Sequence, residues 1–260
     1  MLKKQFWKQT GIFVIILLLI IAAREYSAYQ LIAHGIVSYQ VHMLLGIGAN
    51  IILSVVSFLF IKKHGLLSIA GIQGTKLTKW SLLLFPFYLV LLNISTIDAL
   101  PQHIGILNIL ILIVYSISIG VAEELSIRGF LQSYFIKNFG TSKKAIVQSI
   151  FAAALFFGLI HLLNFDKGIY GELSQVFFAL FIGLLFGVLL VITKRIYPLI
   201  ILHTIIDFFG KLDATGLPIK EKVGTPMVLE NAIFISVLAL PCLAYALVLL
   251  KRNELKQQAV

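Results

Sequence analysis

Apolar runs as long as a lipid bilayer is thick constrain this chain more than any other feature. Ile12–Ala23 carries no polar side chain, and comparable blocks recur to about residue 250. Of 260 residues, 60% are hydrophobic and only 12% charged, against about 25% charged in a soluble domain. No soluble core of this size could bury that much apolar surface, so lipid must serve as the solvent. Inside lipid the backbone has to satisfy its own hydrogen bonds, and runs of about 20 residues do so as helices. The expected fold is all-α: a polytopic membrane helix bundle of about eight transmembrane helices, forming a single integral membrane domain over residues 1–260. Spans are expected at about 9–32, 41–61, 80–96, 103–123, 145–164, 172–193, 197–210 and 228–250. The first resembles a secretory signal, with Lys3, Lys4 and Lys8 before its apolar run, and reads as an uncleaved anchor.

The net charge of +10 would suit nucleic acid if the basic residues lined one polar face. They lie between apolar blocks instead, which favours a lipid partner and no nucleic acid. With the N-terminus inside, sixteen of the 21 Lys and Arg residues fall with the cytoplasmic segments. The positive-inside rule then places both termini in the cytoplasm, with Lys211, Lys220 and Lys222 in an outer loop as the poorest fit. Cys242 is the single cysteine, so there is no disulfide framework and no cysteine metal cluster.

Ionisable side chains within spans are costly and mark function by default. Three places stand out: Glu123-Glu124 followed by Arg128, Phe157 followed by His161, and His203 followed by Asp207. On an α-helix Glu124 and Arg128 share a face and can pair, which gives both a structural role. Glu123 is rotated by about 100° from that face and needs another partner or a chemical task. A lone His161 more often packs between helices, with Phe157 as a pocket wall. His203 and Asp207 share a helical face, and a carboxylate beside an imidazole can fix its tautomer; the same pair could simply glue two helices together. Gly140 suits a helix stop and Thr141 or Ser142 a helix start. A hairpin centred there would set Glu123 opposite Phe157, with His161 about 6 Å further along the axis. Asn93 is expected either to cap a helix or to bond between helices, while His34, His42, His64 and His103 fall near span ends and Asp98, Asp166 and Glu172 in outer loops.

In order and spacing the three places resemble the CAAX protease and bacteriocin-processing (CPBP, Abi) family of intramembrane endopeptidases. The matching residues are Glu123-Glu124 with Arg128, Phe157 with His161, and His203 with Asp207, and the likeness covers about residues 103–210. The resemblance implies an eight-helix, glutamate-dependent protease that needs no metal or other cofactor and acts on a membrane-associated protein or peptide. It implies that Glu123 and His161 activate a water and that His203 and Asp207 support the oxyanion. An ionised Asp207 cannot donate a hydrogen bond, so its expected role is to orient His203. Bacterial members suggest peptide maturation or immunity to bacteriocins. Two other readings compete. One is a zinc protease using His161, His203 and a carboxylate, although the chain has no H-E-x-x-H helix. The other is a transport or immunity scaffold whose buried charges bind an ion or partner.

Overall fold

The computed structural model describes residues 2–74, 76–97, 100, 104–163, 168–220 and 226–253. His103, Asp98, Asp166 and Lys222 lie outside the described residues. Among those described there is no strand. Six helices are long and apolar enough to cross a membrane, and two shorter apolar helices accompany them. The chain is an integral membrane protein built as an all-α bundle. Large apolar side chains such as Trp7, Leu19, Ile51, Leu110, Phe177 and Phe234 are exposed along these helices, as lipid contact requires and water would penalise.

The helices are α1 (Leu2–Ala33), α2 (Tyr39–Lys63), α3 (Phe87–Ser95), α4 (Ile106–Glu124), α5 (Ser133–Phe139), α6 (Lys143–Ile160), α7 (Gly168–Thr193), α8 (Tyr197–Gly210) and α9 (Leu229–Arg252). Between α4 and α5 the chain does not leave the helix: Leu125–Gln132 is π-helical, so Ile106–Phe139 runs unbroken. The span expected to end at residue 123 therefore continues to Phe139. Gly140 stops it at φ +111°, and Ser142 starts α6 by accepting from the Ala145 N–H at 3.3 Å. The span expected from residue 172 begins earlier, at Gly168. Glu172 is consequently a buried helical residue, not a loop residue.

The helices fall into two compact units. The first comprises Met1–Lys63, Leu83–Ser126 and Tyr197–Lys222; in it α1 packs on α2, α2 on α4, and α8 on both α3 and α4. The second comprises His64–Leu82, Ile127–Ile196 and Val223–Val260; there α7 packs against α6 and α9, and α5 against α6. Its segment 64–82 is pinned to the end of α7. The Thr78 hydroxyl donates to the Ile192 carbonyl at 2.8 Å, and the Arg195 guanidinium donates to the carbonyls of Ile72 and Gly74 at 3.1 and 3.2 Å.

Helices in lipid gain little from hydrophobicity when they meet, so close approach between small residues carries their packing. Gly120 is the clearest case in the first unit. A Cβ there would lie 2.6 Å from Thr204 Oγ1 and 2.9 Å from the Ile200 carbonyl oxygen, both on α8. The backbone oxygen cannot swing aside. Gly120→Ala should lower the stability of detergent-solubilised protein by about 1–3 kcal/mol. Gly48→Ala, with nothing within 4 Å of the added carbon, should leave it within about 0.5 kcal/mol. Equal melting temperatures for the two variants would contradict this packing.

Candidate active site

The close seat at Gly120 brings the last turn of α4 against the middle of α8, so that Glu123 and Glu124 meet His203 within the first unit. Glu124 is fully buried and accepts a 2.8 Å hydrogen bond from His203 Nδ1 on its Oε1. Glu123 lies on the other side of the same ring, with Oε2 3.4 Å from Nε2. The two carboxylates differ in access: the Glu123 side chain is 33% exposed and that of Glu124 is 0%. Glu124 is thus sealed against the imidazole, while Glu123 retains a face open to a reactant. Asp207, one turn beyond His203, brings Oδ2 to 3.8 Å from Nε2, too far for a hydrogen bond. Its Oδ1 accepts from Lys211 Nζ at 2.9 Å.

The bond from Glu124 settles which ring nitrogen of His203 is committed. A carboxylate oxygen accepts, so Nδ1 carries the proton that joins it. Nε2 is the ring nitrogen turned toward Glu123 Oε2. Neighbouring contacts hold both helices in place. Ser57 on α2 bonds Ser126 at 2.8 Å, and Asn93 on α3 donates to the Ile206 carbonyl of α8 at 2.8 Å. Asn93 therefore bonds between helices, one of the two roles expected of it.

His161, Phe157 and Arg128 belong to the second unit. His161 opens a short 3₁₀ turn, His161–Leu163, at the end of α6. Its Nδ1 donates to the Phe157 carbonyl at 2.8 Å. A carbonyl can only accept, so in the neutral ring Nδ1 holds the hydrogen and Nε2 offers a lone pair. The Phe157 ring stands edge-on to the imidazole, with centroids 5.0 Å apart and planes at 89°. Phe157 also forms one of two aromatic faces around Arg128. The buried guanidinium carbon lies 4.7 Å from the Phe157 centroid and 5.4 Å from that of Phe186.

Some of these partners were not apparent in the sequence. The π-helical period of Leu125–Gln132, which includes Arg128, has no signal in the sequence. Phe186 lies far from Arg128 in the chain, and no spacing rule points to it. Lys211 was legible: it follows Asp207 by four residues, the spacing already applied to His203 and Asp207. Among the described residues no group of three or more His, Cys, Asp or Glu side chains is arranged to hold a metal ion.

The two rings about Arg128 give it a structural task that can be measured. Arg128→Met keeps an apolar stem but removes the cation. With the guanidinium desolvated, a loss of about 2 kcal/mol is expected, read as a lower melting temperature and less folded protein. A variant as stable as the native chain would contradict that assignment.

Residues 105–209 match the family model described as Type II CAAX prenyl endopeptidase Rce1-like. No curated protein and no solved structure matches the chain. The matched segment contains the paired glutamates, the Phe157–His161 turn and the His203–Asp207 face, and over residues 105–209 the chain is similar to the Rce1-like type II CAAX prenyl endopeptidases.

Proposed function

We propose that the chain is a metal-independent glutamic endopeptidase that hydrolyses a peptide bond of a membrane-associated protein or peptide. One observation carries this reading: a bilayer-spanning helix brings a buried carboxylate, Glu124, into a 2.8 Å hydrogen bond with His203, and a second carboxylate, Glu123, stands open beside the same ring. Such groups are expensive in lipid and are kept where chemistry needs them. The family match at residues 105–209 supports a hydrolase of the CAAX protease type.

In this mechanism Glu123 is the general base. It takes a proton from a water whose second hydrogen is accepted by His161 Nε2, the nitrogen left bare by the bond to Phe157. The water oxygen adds to the scissile carbonyl carbon as the carbonyl π bond opens onto oxygen. His203 acts as the imidazolium between the two carboxylates: its Nδ1–H donates to Glu124 behind the ring and its Nε2–H donates to that oxyanion. Collapse of the tetrahedral intermediate breaks the C–N bond, and the Glu123 carboxyl returns its proton to the leaving amine. A positioned base contributes roughly 10²–10⁴-fold and an oxyanion donor roughly 10²–10³-fold. Asp207 does not touch the reacting atoms in this scheme. The reading places the site in a bacterial plasma membrane with both termini cytoplasmic, in peptide processing or immunity to bacteriocins.

Glu123→Gln keeps the shape of the side chain and removes the base. Membranes carrying that variant in place of the native protein should accumulate uncut peptides absent from the native proteome. His161→Ala and His203→Ala should accumulate the same set, with each variant inserted normally. Cleavage should survive strong chelators. Unchanged peptide profiles with Glu123→Gln would defeat the protease reading, and a chelator-sensitive profile would favour the zinc alternative.

A further inference from the structure

We infer that the end of the second unit where α7 and α9 finish binds the phosphate headgroup of an anionic phospholipid in the adjoining leaflet. Three separate segments supply its cations: Lys76 with Lys79, Lys194 with Arg195, and Lys251 with Arg252.

Hydrogen bonds bring these segments together. Thr78 donates its hydroxyl to the Ile192 carbonyl at 2.8 Å and its N–H to the Thr193 carbonyl at 3.1 Å, which sets Lys79 beside Lys194. The Arg195 guanidinium reaches back to the carbonyls of Ile72 and Gly74. The seat is close: a Cβ at Gly71 would lie 2.9 Å from the Arg195 Cα. Lys79 Nζ donates to Asn253 Oδ1 at 2.5 Å, next to Lys251 and Arg252 in the last turn of α9. Each of these acceptors is a carbonyl or an amide, so the bonds hold the cations without neutralising them. Among the described residues of segments 64–82, 190–196 and 241–253 there is no Asp or Glu. The C-termini of α7 and α9 carry only about half a negative charge each, far short of the cations gathered there.

Two of the lysines occupy costly backbone. Among the described residues, Lys79 and Lys194 are the non-glycine positions with left-handed φ, at +46° and +65°. Glycine or asparagine takes that conformation more cheaply and is the usual residue after a helix end. Lysine adds nothing to such a turn except its cation. Burial also pushes the Lys194 ammonium down from its ordinary value, a cost that an anion beside it would offset.

The surroundings select a lipid over a soluble anion. α7 and α9 are long and apolar enough to cross a membrane, and both finish here, which sets the cations at headgroup level. Trp80, next to Lys79, is exposed, and an exposed indole at a span end favours the membrane–water interface. One turn inward from Lys251 and Arg252, Leu247 and Val248 are exposed too. They offer acyl chains an apolar wall under the headgroup.

The test uses the full chain carrying Trp7→Phe, which leaves Trp80 as the single tryptophan. It is reconstituted in phosphatidylcholine vesicles with rising amounts of chain-brominated phosphatidylglycerol or chain-brominated phosphatidylcholine, since bromine quenches an indole that it touches. The anionic lipid should quench Trp80 at a mole fraction about a hundredfold lower than the zwitterionic one, as several cations acting together on one headgroup require. Lys79→Asn, Lys194→Asn and Arg252→Gln should each weaken that preference about fivefold, and the triple variant should abolish it. Asparagine tolerates the left-handed turn, and Lys76→Gln, at an exposed position, replaces either asparagine variant that does not insert. Lys143→Gln with Lys144→Gln removes two exposed cations at the start of α6 and should change the preference by less than about twofold. Equal quenching by the two lipids, or an equal loss in the Lys143 and Lys144 variant, would overturn the site in favour of general surface charge. Displacement of the brominated lipid by millimolar inorganic phosphate would overturn a lipid as its ligand.

Discussion

A carboxylate buried among membrane helices must find its partner inside the protein, because no water will pay for its charge. In this chain Glu124 is fully buried and meets His203 at 2.8 Å, and much of the first unit follows from that bond. For the two side chains to touch, α4 and α8 must approach more closely than ordinary side chains allow. Gly120 permits it by presenting bare backbone to Thr204 and Ile200. α3 then holds α8 through Asn93 and the Ile206 carbonyl, while Ser57 on α2 holds the end of α4 through Ser126. These two contacts join neighbouring helices near the acidic pair.

The two imidazoles are prepared in the same way, although each belongs to its own unit. His203 gives Nδ1 to a carboxylate, and His161 gives Nδ1 to the carbonyl one turn behind it. In both rings Nδ1 is the nitrogen committed to a fixed acceptor. Fixing a tautomer through the far nitrogen is a general device for orienting histidine in catalytic sites. The proposed division of labour rests on charge as well: a neutral His161 offers a lone pair to water, and His203, flanked by two carboxylates, offers a proton to the oxyanion as the imidazolium. The open Glu123 and the sealed Glu124 divide in a parallel way. Adjacent in sequence, they differ in exposure by a third of a side chain, and that difference separates a group that can react from one that can only position.

The fold was legible wherever a single helix carried the signal. Long uncharged runs marked the six membrane-length helices, and the shorter apolar runs at Trp80–Ser95 and Tyr197–Gly210 were recognisable because punctuation bounded them. Gly140 and Ser142 announced the break between α5 and α6 through their backbone and capping chemistry. The π-helical stretch Leu125–Gln132 was not legible, since its residues would also serve in an α-helix. The span expected from residue 172 starts at Gly168, one turn earlier. The candidate residues were visible as types out of place in lipid, but their partners were visible only at helical spacing. Asp207 with Lys211 obeys that spacing; Glu124 with His203 and Arg128 with Phe186 join different helices, and periodicity within one segment says nothing about them.

The central claim is that an acidic side chain at position 123 and the imidazole at position 161 serve one water. Cross-linking tests that claim without requiring a substrate. With Cys242→Ser removing the native thiol, the paired substitutions Glu123→Cys and His161→Cys would be introduced in native membranes and treated with a short bifunctional methanethiosulfonate. A cross-link between the two thiols, captured rapidly and in high yield, is the result this account predicts. Two thiols that each react with a monofunctional reagent yet never join would contradict it.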